Sequence, residues 1–189
     1  MNPFAHFNLD LLPESATPVL DKTRAAFGFV PNLAAVMAQS PVSLNGYLNN
    51  LQTFGESSFA PAHQQLVLLC SSVASEVAYA VAVHTILARG AGLDETVIQA
   101  IRNRQPLADQ NLEALRELTE SAASNGGKID DDKLVNYLSA GWSKRQIIEI
   151  FFALAAKEFV YRVQRLAEVP LDEPLASGRW ETGGVRQPF

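Results

Sequence analysis

The chain has 189 residues, of which 48% are hydrophobic and 19% charged, close to the averages of folded globular proteins, so neither a disordered nor a fibrous class fits. Its length suits one domain or two small similar halves, and a chain of this size buries about 70% of the surface its unfolded form exposes, so it needs no covalent staple. Against 20 acidic residues stand 15 basic ones, a formal charge of −5 with the basic residues scattered, which argues against a nucleic-acid surface.

Met1 to His6 contains neither a basic n-region nor an apolar h-region, so no secretory signal is read and a cytoplasmic location is expected. Val19 to Phe27 is helical in pattern; Gly28 can end that helix, and Asn32 can cap the next. Pro41 opens a segment from Val42 to Phe54 with Leu44, Tyr47, Leu48 and Leu51 on one face. From Pro61 to Leu87 the pattern is apolar and alanine-rich, one long helix or two joined near Ser72 to Glu76, where serines compete for backbone groups. The run from Leu66 to Val83 approaches the length of a membrane span, but Ser71, Ser72, Ser75 and Glu76 lie within it and no basic or aromatic belt flanks it. It reads as buried core, with no membrane partner.

Asp94 caps Glu95 to Arg102; Ala108 to Ser124, Asp130 to Ser139 and Ser143 to Leu166 follow as helices. Ala91-Gly92-Leu93-Asp94 to Ile101 aligns without gaps on Ala140-Gly141-Trp142-Ser143 to Ile150, the pattern of two similar helical hairpins, although so short a match also arises by chance. No stretch alternates like a strand, so the class is all-α. After Pro170 the periodicity stops, and a tail carrying Trp180 and Phe189 is expected to lie against its own body or a neighbouring subunit.

The segment Val77-Ala78-Tyr79-Ala80-Val81-Ala82-Val83-His84, followed by Gly92-Leu93-Asp94, resembles the active-site helix of the AhpD-like alkylhydroperoxidase and carboxymuconolactone decarboxylase family. In that family the order is Cys, two residues, Cys, three residues, His; here Val77 and Ala80 stand where the thiols would be. The Gly28-to-Leu33 lead-in, the Pro41 helix and the Ala140-Gly141-Trp142-Ser143 hairpin extend the likeness over most of the chain. It implies an AhpD-like helical bundle over residues 1–170, an extended tail over 171–189, and assembly into dimers, trimers or hexamers. It also implies a relay of a Glu twelve residues before the first Cys, the Cys pair and the His. The Glu position is Gln65, which hydrogen-bonds but does not take a proton at neutral pH.

Positions 77, 80 and 84 fall within about 60° of one another on a continuous helix, so Val77 and Ala80 are read as the pocket wall beside His84. A thiol peroxidase needs a thiolate, which neither residue supplies. Cys70, the one cysteine, lies in an apolar run, fourteen residues or roughly 21 Å from His84 along one helix, and reads as a small buried hydrophobe. His84 itself has two readings: a proton shuttle, or a structural residue hydrogen-bonded to a neighbour such as Gln65. Glu76 lies about 12 Å from His84 on a continuous helix and reads as an exposed cap, and Tyr79 as packing. His6, His63 and His84 lack metal-ligand spacing, and no phosphate loop, nucleophile elbow or dinucleotide fingerprint is present, so no metal or cofactor is expected. Three functions remain open: a His84-dependent, decarboxylase-like enzyme on a small organic acid or lactone; a nominal peroxidase relative without its thiols; and a non-catalytic helical binding module.

Overall fold

The computed structural model describes residues 12–181, a helical bundle with no strand among them. Met1 to His6, on which the reading of no signal rests, and Phe189 lie outside the described residues. A short 3-10 turn, Glu14–Ala16, leads into α1 (Thr17–Phe27), α2 (Asn32–Met37), α3 (Pro41–Gly55), α4 (Pro61–Ala74) and α5 (Ala78–Gly90). Then come α6 (Glu95–Arg102), α7 (Gln110–Ser124), α8 (Asp131–Ser139), the long α9 (Lys144–Ala167) and a second 3-10 segment, Glu173–Gly178. No helix among the described residues is long and apolar enough to cross a membrane.

The run from Pro61 to Leu87 is two helices. Ser71 Oγ and Ser72 Oγ donate back to Leu68 O at 3.0 and 2.7 Å, and the chain reverses at Ser75-Glu76-Val77, with Glu76 in the left-handed region at φ 56°. A non-glycine residue there costs on the order of 1 kcal/mol, and surrounding groups must offset it. Arg104 does so from one side, pairing with Glu76 at 2.6 Å and reaching Val73 O at 3.4 Å. Arg165 Nη2 donates to Ser75 O at 2.6 Å from the other. Both guanidiniums thus sit where α4 leaves unpaired carbonyls and the negative end of its dipole.

The turns after α5 and α8 share one construction. Gly92 and Gly141 take positive φ (80° and 92°), an apolar residue follows, and Asp94 or Ser143 accepts a backbone N–H of the next helix. Ser143 and Gln146 complete a reciprocal capping box. Two other expected helix starts differ. Asn32 is not a cap: Pro31 holds that position without a side-chain acceptor, and the Asn32 N–H instead donates to Asp172 Oδ1 at 2.9 Å. The helix expected from Ala108 starts at Gln110, because Asp109 Oδ1 accepts the N–H groups of Asn111 and Leu112.

Two apolar clusters share α5 and α9 between them. One gathers Leu66, Leu69, Cys70, Ile98, Ile101, Leu115, Leu118, Tyr137 and Ile150, mainly from α4 and α6 to α9. The other gathers Val19, Leu33, Met37, Leu44, Tyr79, Val160 and Leu175, from α1 to α3, α5, α9 and the C-terminal arm. That arm is not extended throughout, since Glu173–Gly178 winds across α5. Tyr79 Oη donates to Asp172 Oδ2 at 2.7 Å, and Arg102 donates to Gly178 O and Arg179 O at 2.9 and 2.6 Å. Trp180 Nε1 donates to Arg102 O at 3.0 Å, and its ring packs on the first cluster. Gly178 lies so close to the backbone of Ala82 that a Cβ there would overlap the Ala82 carbonyl. Gly178→Ala is therefore expected to lower unfolding stability by about 1–3 kcal/mol, measured by urea denaturation, through displacement of the arm from α5.

Candidate functional site

The reversal between α4 and α5 lays the two helices side by side. Gln65 and His84, 19 residues apart, meet at 3.1 Å between Gln65 Oε1 and His84 Nδ1. The other ring nitrogen, Nε2, lies 2.8 Å from Lys157 Nζ, which α9 brings in from the facing side. One tautomer satisfies both contacts: Nδ1–H donates to the glutamine oxygen, and Nε2 accepts from the lysine amine. His84 and Lys157 are only 3% and 2% exposed.

Lys157 is the residue the sequence reading missed. On α9 the buried positions Ile150, Ala153, Lys157, Val160, Gln164 and Ala167 alternate at spacings of three and four, so Lys157 and Gln164 are the polar members of an inward seam. That register was the signal available in the sequence. None of the described ion pairs includes Lys157; besides His84 Nε2, its charged form is offered the face of the Tyr161 ring, 5.1 Å from Nζ to the centroid. Burial alone pushes Lys157 down from the ordinary 10.5 to about 7. His84 is pushed well below its ordinary value by burial first and by the positive charge of Lys157 second. Near neutral pH the pair is therefore a neutral imidazole beside an amine that spends much of its time uncharged.

The pair lines an apolar cavity of about 80 Å³. Leu33 and Met37 of α2, Leu44 and Leu48 of α3, Ala80 and Val83 of α5, and Leu175 of the arm are part of its wall. Phe27 and Leu87, each 37% exposed, form its outer edge. Gln164 also lines it, and its buried Oε1 has no protein donor. An apolar cavity with a few convergent polar atoms is the ordinary form of a small-molecule site.

Of the residues singled out in the sequence, Gln65 and His84 are thus in contact, and Ala80 lines the cavity wall. Val77 stands off the cavity as the residue preceding α5, and with Ala80 it packs against Tyr161. Tyr161 Oη is held by Ser71 Oγ at 2.8 Å and Ser72 Oγ at 3.0 Å. Positions 77 and 80 are therefore filled by hydrocarbon against an anchored aromatic ring. Cys70 is fully buried with its pKa raised well above the thiol range, chiefly by burial, so its thiolate is suppressed. Although the chain does break beside Glu76, that carboxylate turns to Arg104 rather than to His84. His63 lies edge-on to Trp142, 5.2 Å between centroids, against the first cluster. Among the described residues no group of three or more His, Cys, Asp or Glu side chains is placed to hold a metal ion.

The sequence matches no family model, and it matches no curated protein. Solved structures do match. The alkylhydroperoxidase AhpD core of an uncharacterized peroxidase-related protein from Ralstonia eutropha JMP134 superposes with a TM-score of 0.77 at 13% identity, covering 89% of this chain and 90% of that one. An uncharacterized peroxidase-related protein from Silicibacter sp. TM1040 gives 0.76 at 17% identity, covering 93% and 95%. The debrominase Bmp8, as its C82A variant in complex with 2,3,4-tribromopyrrole, gives 0.75 at 14% identity, covering 87% and 89%. At such identities the likeness carries architecture and not chemistry: this chain has the AhpD-like all-helical fold.

Proposed function

We propose that this protein is a thiol-free enzyme on the AhpD-like fold, in which His84 and Lys157 form an acid–base pair acting on a small, largely apolar organic acid or lactone. The observation that carries this reading is the 2.8 Å contact between Lys157 Nζ and His84 Nε2 at the wall of an apolar cavity. A neutral amine has two N–H donors and one lone pair. With one N–H given to His84, the lone pair is left to take a proton from a ligand, while Gln65 fixes the imidazole tautomer that receives the amine. Peroxidase chemistry by a thiol pair has no support, because positions 77 and 80 carry no sulfur. At 80 Å³ the cavity is about half of the roughly 150 Å³ that accommodates a benzene ring, which favours a molecule of a few carbons. The tribromopyrrole complex of Bmp8 supports small-molecule chemistry on this fold. One observation favours a non-catalytic module instead, the near-complete burial of His84.

A homo-oligomer is part of the same proposal. Ile148, Phe152 and Phe159, 66%, 38% and 40% exposed, lie along one outward stripe of α9 and suit a second copy of the chain.

Butyrate and γ-butyrolactone are expected to move the His84 ring signals in NMR titrations, with Lys157→Met and His84→Gln each weakening binding at least about tenfold, or ~1.4 kcal/mol. Unchanged His84 signals with both ligands would favour the non-catalytic module.

Lys157 also makes stability depend on pH with a definite sign. Its folded pKa is about 7 and its unfolded value near 10.4, so between these the unfolded chain binds more protons and stability rises with pH. The penalty is complete below pH 7 and gone above about pH 10. The other titratable groups around the cavity are His84, Tyr47, Tyr79 and Tyr161; burial holds His84 neutral and pushes the three phenols up. Lys157→Met is expected to raise unfolding stability by on the order of 2–4 kcal/mol at pH 6, with the gain shrinking toward pH 10, in urea titrations across that range. For the assembly, Phe152→Glu combined with Phe159→Glu is expected to convert the oligomer to monomer by light scattering; a wild-type monomer would rule the assembly out.

A further inference from the structure

We infer that Lys157 captures small apolar aldehydes and ketones, β-keto acids among them, by forming an imine through Nζ inside the cavity. The inference rests on the reading of His84 and Lys157 as a working pair and names the carbonyl as the group that pair recognises. Four observations converge on it. Lys157 is buried at 2% exposure; no described carboxylate pairs with it; its amine touches a neutral imidazole at 2.8 Å; and the space it lines is largely apolar. A desolvated lysine in an apolar pocket is the activated form of an amine nucleophile, because the lone pair is not consumed by a proton. Gln164, one of the buried polar residues on the same face of α9, presents an acceptor without a protein donor. That oxygen suits a hydroxyl or enol hydrogen on the captured molecule.

The step balances without any co-reactant. The Nζ lone pair attacks the carbonyl carbon, forming the N–C bond while the C=O π pair moves to oxygen. One amine proton passes to His84 Nε2 and from there to that oxygen. The second amine proton follows as the C–O bond breaks, so that one water leaves and a C=N bond remains, with nothing oxidised or reduced. For a β-keto acid, the acid's own carboxyl proton passes to the imine nitrogen, and the protonated imine then accepts the electron pair of the C–CO₂ bond. Carbon dioxide departs, the enamine regains a proton at carbon, and water hydrolyses the imine to ketone and free amine. This is a route to decarboxylation that uses neither thiol nor metal.

The test uses the full-length protein and butanal as the probe. Butanal is added at pH 7, the imine is reduced with sodium borohydride, and the butylated peptides are identified by mass spectrometry. Lys22, Lys128, Lys133 and Lys144 serve as internal controls, since all are exposed or partly exposed. At pH 7 an amine titrating near 7 has roughly a thousandfold more free base than an ordinary lysine at 10.4, a margin that covers slow entry to the cavity. The expected result is butylation at Lys157 at least about tenfold above any other lysine, and a slower rate at Lys157 in His84→Gln. Because the site is read from peptides of the unaltered protein, no variant at Lys157 needs to fold. Butylation spread evenly over the surface lysines, or absent from Lys157, would overturn the inference. If that result accompanies His84 signals that still respond to butyrate, carbonyl capture fails while the acid–base reading stands; if His84 is also silent, both fail.

Discussion

Everything at the site depends on the chain reversal at Ser75-Glu76-Val77. On one straight helix, the 19 residues from Gln65 to His84 would span about 28 Å; in the folded chain their side chains are 3.1 Å apart. The reversal requires a glutamate in the left-handed region, and it leaves the last carbonyls of α4 without helical partners. Arg104 and Arg165 answer both needs, from the loop after α6 and from the end of α9 respectively. Three separate parts of the chain therefore converge on one turn. Its position also starts α5 where Ala80, Val83 and His84 face the cavity.

The second constraint is the buried amine. An uncompensated lysine in an apolar interior is costly, and its partners here, an imidazole nitrogen and an aromatic face, offset only part of that cost. A hydrophobic residue would pack the same seam with greater stability. Stability given up at a cavity wall is the usual mark of a working residue, and the compensation is structural: Asp172 and Arg102 tie the arm over α5, closing the side of the cavity that Leu175 lines. Val77 and Ala80 meanwhile pack against Tyr161, whose hydroxyl is held by two serines of α4. The buried amine lies on α9, across from His84 of α5.

The helices were legible because their signals are local: periodic apolar faces, Gly92 and Gly141 after helix ends, and Asp94 and Ser143 before helix starts. The fold followed from the order of those signals, and His84 from its place in a known frame. What was not legible depended on contacts distant in sequence. The cap of α2 comes from Asp172, 140 residues away, so the local candidate Asn32 misled. Lys157 sits among alanines and phenylalanines on a helix apolar around much of its circumference, where an isolated lysine reads as solvent-facing. Only the three-four register of Ile150, Ala153, Val160 and Ala167 places it inward, and the outer stripe of Ile148, Phe152 and Phe159 obscures that register. The break near Ser72 to Glu76 was visible as serine-rich sequence, and Gln65 was already a candidate partner of His84; the arrival of Lys157 at the other ring nitrogen was not.

The central claim is that Lys157 is a neutral-capable amine held against His84 in an apolar cavity. The most direct measurement is the titration of Lys157 by NMR of its ¹³Cε signal, assigned by its loss in Lys157→Met. The account predicts a midpoint near pH 7, far below the other lysines. A midpoint near the ordinary value of about 10.4 would show a solvated or ion-paired lysine and contradict the account.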